Sequence, residues 1–392
     1  MKQPVYLDYA ATTPVDPVVA EAMSRCLTMD GVFANPASRS HLYGWQAEEQ
    51  VELARRQVAD LLGCDSREVV WTSGATESNN LAIKGVFEAA KNQQGVFSGH
   101  LITSLVEHKA VIDPVKWLQG LGVEVTWLKP NAQGAVTAEQ VRDAMREDTR
   151  LVSLMHVNNE VGSINPISEI STMCKEQDVL LHVDAAQSAA KLDLSVLPLG
   201  VDLLSLSAHK FYGPKGVGAL YVKRALQQGR VAPIIHGGGH ERGLRSGTLA
   251  THQLVGMGKA AELAANWQQE SLKLAALRDR LWEGIADLPG LRCNGMTDEQ
   301  GLCVGSPNHL NVCFSGVDGE TLLLSLRELA ISSGSACTSA SLDPSYVLKA
   351  MGLSDADAGS SLRLSVGRFT ESEDVDRAIS HIRNVVGALR AA

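Results

Sequence analysis

Two hydrophobic rhythms alternate between about residues 47 and 225 of this chain. Residues 47–62 carry apolar side chains at Val51, Ala54, Val58, Leu61 and Leu62, which fall on one helical face, and Gly63 ends the run. Short runs rich in β-forming residues follow at 69–72, 101–106, 123–128, 151–157, 179–183, 203–206 and 219–222. Several are apolar nearly throughout rather than alternating, as expected of strands covered on both faces. Helical stretches at 81–90 and 167–177 lie between them. The pattern predicts an α/β fold with a large, mostly parallel sheet.

After about residue 258 the rhythm changes. A long helical stretch runs to Ile285, strands are predicted at 310–314 and 362–366, and a terminal helix at 373–389. This reads as a smaller α+β domain. The expected division is 16–258 for the large domain and 259–392, together with 1–15, for the small one. The cleft between them is the expected place for a small-molecule site.

Composition narrows the function classes. The 392 residues carry a net charge of −9 with no basic block, which argues against nucleic acid or an anionic membrane as the main partner. No apolar stretch approaches the roughly 20 residues that cross a bilayer. Met1-Lys2-Gln3-Pro4-Val5 shows no signal-peptide pattern, so a cytoplasmic protein is expected. The seven cysteines are scattered and never form a CxxC pair, so neither a disulfide framework nor a zinc ribbon is expected. Most read as small core residues. Cys337 is the exception, because it lies among small polar residues at 332–341 with little to pack and reads as a reachable thiol.

In an open α/β sheet, ligands bind beyond the carboxyl ends of the strands, and the unusual residues of this chain fall there. Lys210 ends the run 201–206 through Ser207-Ala208-His209. A lysine at the mouth of a buried strand is expensive unless its amine is used, and a Schiff base with an aldehyde cofactor uses it. Ser73-Gly74-Ala75-Thr76-Glu77 opens a helix whose free N–H groups suit a phosphate. Asp184 ends another strand and either caps a helix or holds a pyridine nitrogen protonated, with Gln187 one turn later within reach of a phenolic oxygen. His108 offers stacking and proton transfer, Asn158 and Asn159 offer amides, and Arg363 offers a clamp for a substrate carboxylate or a structural ion pair. The run His236-Gly237-Gly238-Gly239-His240 has metal-like histidine spacing, but its glycines make a helix, and hence a metal site, unexpected.

These residues, in this order, resemble the cysteine desulfurases of the NifS/IscS type, pyridoxal-phosphate enzymes with the aspartate aminotransferase fold (fold type I). The resemblance runs from Tyr6-Leu7-Asp8-Tyr9 to Ser365-Val366-Gly367-Arg368 and includes Ser333-Gly334-Ser335-Ala336-Cys337, which is similar to the long-loop housekeeping branch rather than the SufS branch. It implies that Lys210 carries the cofactor, Asp184 pairs with its ring nitrogen, Gln187 bonds its phenolic oxygen and His108 stacks on the ring. It further implies that Ala75, Thr76, Ser207 and His209 hold the phosphate, joined by Thr248 of the second subunit of a homodimer. Asn159 and Arg363 would orient substrate, with Asn35 a further contact, and Cys337 would take sulfur from L-cysteine as a persulfide, leaving L-alanine. The implied partner is a sulfur-acceptor protein, either an iron–sulfur scaffold or a tRNA-thiolation protein. The chain ends at Ala392, directly after the terminal helix, without the further tail that helps dock the scaffold in housekeeping members, which puts that partner in question. A selenocysteine lyase or a small-substrate aminotransferase of the same fold would use Lys210 and Asp184 equally; only the desulfurase needs Cys337. A non-catalytic binding protein would need none of them.

Overall fold

The computed structural model of the chain describes residues 3–333 and 344–391; Cys337, Ser335 and Ala336 lie outside them. The strands are β1 (Val5–Tyr6), β2 (Val69–Thr72), β3 (His100–Ser104), β4 (Glu124–Leu128), β5 (Thr149–Met155), β6 (Leu180–Asp184), β7 (Leu203–Ser207), β8 (Gly218–Val222), β9 (Leu291–Asn294), β10 (His309–Phe314), β11 (Leu329–Ala330), β12 (Ser332–Ser333) and β13 (Ser361–Ser365). The helices are α1 (Pro17–Ser24), α2 (Leu42–Leu62), α3 (Ala75–Ala89), α4 (Lys109–Gly120), α5 (Ala138–Ala144), α6 (Ile167–Glu176), α7 (Val196–Leu199), α8 (Thr251–Leu263), α9 (Trp267–Glu283), α10 (Gly319–Ser325), α11 (Tyr346–Ala350), α12 (Asp355–Gly359) and α13 (Ser372–Ala391). The order follows the sequence reading closely. Gly63, at φ 61°, closes α2 in the left-handed conformation that suits glycine.

Strands β2 to β8 form one seven-stranded sheet in the order β2-β8-β7-β6-β5-β3-β4. Only β8 runs against its neighbours, so the carboxyl ends of β2, β7, β6, β5 and β3 share one edge. The continuous apolar runs are explained by two packed faces. Trp71, Val152, Leu181, Leu204 and Ala219 face one cluster with α2, α6 and α8. Their chain neighbours Val70, Leu151, Leu180, Leu203 and Leu220 face another with α3 and α4. Truncating any of these fully buried leucines to alanine costs about 2–5 kcal/mol.

A second sheet, β12-β13-β10-β9, packs with α9 and α13 around Leu277, Leu281, Val312, Phe314, Leu364 and Ile382. The first residues of the chain join this part: Val5 and Leu7 belong to its core, and β1 pairs with β11.

Two expectations are corrected. The helix predicted to run unbroken to Ile285 is two helices, α8 and α9, separated by a 3-10 turn at Ala264–Asn266. The break marks a change of partner, since α8 packs on α1 and α2 and α9 on α13, while Ala-Ala-Asn carries no helix-breaking residue that would announce it. The cysteines are also not all separate: Cys293 on β9 and Cys303, in the loop that returns beside it, are brought side by side. Their positions, 10 residues apart, match no CxxC spacing, and only the returning loop brings them together. Cys26, Cys64, Cys174 and Cys313 are free.

Candidate active site

The shared strand edge opens into a cavity of about 490 Å³, within the usual range for small-molecule sites. Lys210 stands in the 3-10 turn Ala208–Lys210 that follows β7, where the chain turns back into the antiparallel β8. Its Nζ donates to the carbonyls of Ala10 at 2.7 Å and Ala11 at 2.8 Å. The N-terminal segment is fastened to the same turn, with the Thr13 N–H and hydroxyl both donating to the His209 carbonyl, at 2.9 and 3.1 Å. Burial, with the positive charge of Lys210 and Lys215 nearby, lowers the His209 imidazole to about 4.

The 15-residue helix α3 begins just after its N-cap Gly74, and no side-chain hydrogen bond caps its first turn. Ala75 and Thr76 of that turn line the cavity with Ser207 and His209. Uncapped N–H groups at the positive end of a helix, flanked by hydroxyls, form an anion site. Gly218 lets the two halves meet: a Cβ there would lie 2.5 Å from the Leu206 carbonyl and 2.6 Å from the Gly74 Cα. Glu77 braces the turn by accepting from the Ser73 N–H at 2.7 Å and from Arg245 at 2.8 Å.

Asp184 ends β6 with its carboxylate in the cavity wall, accepting from Asn79 Nδ2 at 2.7 Å and the Ala186 N–H at 3.0 Å. Gln187 donates to the Ala10 carbonyl at 2.9 Å, and its buried Oε1 has no partner among the described residues. His108 precedes α4 as its N-cap, and its Nδ1 accepts from the Ala110 N–H at 3.1 Å, so the neutral ring carries its proton on Nε2. Asn159, after β5, reaches the cavity with Oδ1 unpaired among the described residues. Arg363 on β13 lines it too, and the structural ion pair that was one reading of this residue is present. The guanidinium forms an ion pair with Asp8 at 2.8 Å, and it also donates to the Asn159 carbonyl at 2.8 Å and the Ser332 hydroxyl at 2.8 Å.

Asn35 and Thr248 are not brought into this chain's cavity. Asn35 is exposed and its side chain accepts from the Ala37 N–H at 2.9 Å, while Thr248 is exposed at the end of the glycine-rich loop. Several polar groups of the site were not anticipated. Asn79 is one, and its helical i+4 spacing from Ala75 was the available signal. Glu160 is another: its buried carboxyl accepts from Ser345, and burial pushes it up to about 7. Glu107 is fully buried with neither oxygen hydrogen-bonded among the described residues, and burial beside Asp184 pushes it well above the usual carboxylate range.

The donor set fits pyridoxal 5'-phosphate. An uncapped helix start suits the phosphate, a buried carboxylate suits the ring nitrogen, two amides keep buried oxygens with hydrogen-bonding capacity, and an amine lines the same cavity.

Comparison with known proteins agrees. The family model for aminotransferase class-V matches residues 5–378. The chain is 57% identical over 391 residues to the cysteine desulfurase IscS of Shewanella woodyi, covering 100% of this chain and 94% of that one. It is 56% identical to the protein of the same name from Aeromonas salmonicida over 393 residues, with the same coverage. Among solved structures, a NifS-like protein superimposes with a TM-score of 0.88 at 35% identity, covering 99% of this chain and 100% of the other. SspA, solved in complex with cysteine, gives a TM-score of 0.80 at 41% identity over 93% of this chain and 99% of its own. With its fold, its cavity and a family match over nearly its whole length, the chain belongs to the class-V aminotransferases.

Proposed function

We propose that the chain is a pyridoxal-phosphate-dependent cysteine desulfurase that takes sulfur from L-cysteine, releases L-alanine and passes the sulfur to an acceptor protein. The observation that carries this reading is the meeting of Lys210, Asp184, His108 and an uncapped helix start around one cavity, together with the desulfurases it is similar to. Bound pyridoxal 5'-phosphate supplies an electron sink for the bonds at the substrate Cα. Lys210 would hold it covalently, Asp184 would pair with the ring nitrogen, and the first turn of α3 with Ser207 and His209 would receive the phosphate. Arg363 and Asn159 orient the substrate carboxylate. The freed Lys210 amine takes the α-proton. The Cys337 thiolate then attacks the substrate sulfur: an S–S bond forms, the Cβ–S bond breaks, and its electron pair returns to the carbon skeleton, which is protonated and leaves as alanine. Through Nε2, His108 exchanges the thiol proton.

The working unit in this reading is a homodimer in which Thr248 completes the partner's phosphate site. Support comes from the exposed apolar side chains Leu42 (61% exposed) and Trp45 (53%), three residues apart on α2, which a second copy would cover. The acceptor reads as an iron–sulfur scaffold or a tRNA-thiolation protein, and the setting as cytoplasmic, where free cysteines such as Cys26 and Cys174 stay reduced.

Alanine released from L-cysteine by the purified wild type and by Cys337→Ala tests the reading. Alanine from wild type and almost none from the variant is expected. Equal release from both would overturn the role of Cys337 and indicate a lyase that expels sulfur directly.

A further inference from the structure

Lys191 is a second lysine beneath the active site, and the chemistry described above does not use it. It is buried, with 4% of its surface exposed. A buried ammonium is ordinarily matched by a carboxylate, because desolvation of the unpaired ion is so unfavourable. Here the hydrogen-bond partners of Nζ are two backbone carbonyls: Lys210 at 3.1 Å and Ala189 at 3.4 Å. The charged and titratable groups facing it are Lys210 from the turn after β7, Glu270 from α9 and His309 from β10. Glu270 already serves Arg368, accepting from it at 2.7 Å, and forms no ion pair with Lys191. The backbone that carries Lys191 is itself fixed, since Ser271 donates its hydroxyl to the Lys191 carbonyl and Ala190 sits at φ 60°. The amine is therefore held against the residue that bears the cofactor, at the expense of an unmatched buried cation.

We propose that Lys191 is a positioning residue for Lys210: it grips the Lys210 carbonyl and sets a second positive charge close to the Lys210 side chain, so that the Lys210 nitrogen, free or bonded to cofactor, is easily deprotonated. The inference rests on the reading of Lys210 as the cofactor-bearing lysine. A neutral nitrogen is what both of its tasks require, attack on an aldehyde and acceptance of the substrate α-proton. A like charge nearby disfavours the protonated form, and the two lysines do act on each other electrostatically. Burial and Lys210 together lower Lys191 to about 8, with Glu270 opposing, so the charge acts at and below neutral pH.

Lys191→Met removes both the grip and the charge, and Lys191→Gln keeps an N–H donor but no charge. Two readouts are taken on wild type and both variants. One is the pH midpoint of the visible absorption of the cofactor-loaded protein. The other is the pH midpoint for labelling of Lys210 by an amine-reactive reagent in cofactor-free protein, read by peptide mass spectrometry. Both midpoints are expected to rise by about one pH unit or more in each variant, and one unit corresponds to about 1.4 kcal/mol. If the methionine variant misfolds, the glutamine variant carries the test. Midpoints unchanged from wild type would overturn the proposal and leave Lys191 a packing residue. Absence of any cofactor band in wild type would instead defeat the reading of Lys210, while the labelling midpoint would still decide the effect of Lys191.

Discussion

Asn79 Nδ2 donates to Asp184 Oδ2 at 2.7 Å, which ties the uncapped helix proposed to receive the phosphate to the strand end proposed to face the cofactor ring. The two ends of a ligand spanning this cavity are therefore held in register by one buried side-chain bond. Asn79→Ala is expected to leave the fold intact and weaken cofactor retention by about one to two orders of magnitude, the worth of a hydrogen bond to a buried charged group. Fluorescence titration of cofactor-free protein measures it. Retention equal to wild type would mean that Asp184 is fixed by the Ala186 N–H alone.

Glu107 gives the protein a pH signature that does not depend on catalysis. Its folded-state pKa lies above the unfolded value, so its contribution to stability is full in acid and is lost as pH rises from the ordinary glutamate range towards the folded value. The loss is up to about 1.4 kcal/mol per pH unit for a single group. Glu107→Gln keeps the shape and cannot ionise, so the variant is expected to gain on wild type steadily as pH rises above the ordinary glutamate range. Urea unfolding across that rise measures the difference. A constant offset would show that Glu107 ionises in place.

Much of this molecule is visible in its sequence, for a physical reason. The strands that carry the site are buried on both faces, so runs such as 203–206 announce themselves as apolar, and a lysine or aspartate at the end of such a run stands out. What escapes is the meaning of polar residues inside helices and loops. Asn79, Glu107 and Lys191 look like ordinary surface residues in one dimension, and only their three-dimensional neighbours make them unusual. Asn35 and Thr248 illustrate the converse: the resemblance assigns them roles, but a single chain leaves both exposed. The meeting of Cys293 with Cys303 likewise depends on a loop whose return no spacing rule predicts.

Arg55 on α2 and Glu241 in the glycine-rich loop form a buried ion pair at 2.6 Å, and Glu241 also accepts from the Trp71 N–H at 2.8 Å. Removing one member strands the other as an unpaired buried charge. Arg55→Ala is expected to destabilise the protein by about 3–5 kcal/mol, and Arg55→Met with Glu241→Gln to recover part of the loss. Chemical denaturation distinguishes these outcomes. A loss under 1 kcal/mol would mean that water reaches the pair.

Arg363 is engaged by Asp8 and Ser332 before any substrate arrives, so its contribution is a matter of geometry as well as charge. Arg363→Lys keeps the charge but not the planar fork. It is expected to raise KM for L-cysteine by about tenfold or more with a smaller change in kcat. Asp8→Asn, which frees the guanidinium, is expected to shift KM much less. Steady-state kinetics of alanine release measures both, and equal effects would make Arg363 a structural ion pair only.

The N-terminal segment has a consequence for how the enzyme is made. The Ala10 and Ala11 carbonyls receive the amine of Lys210, and the Ala10 N–H donates to the Ser365 hydroxyl at 2.8 Å across 355 positions of sequence. On a ribosome adding about 5–20 residues per second, the first residues wait roughly 20–70 s for the strand that fixes them. Through that interval the sheet edge lacks one wall, and apolar residues such as Val5 and Leu7 have no core to enter. Newly synthesised chains therefore cannot acquire the complete site until the strand that carries Ser365 has been made, and the segment around Ala10 is where a chaperone has most to shield.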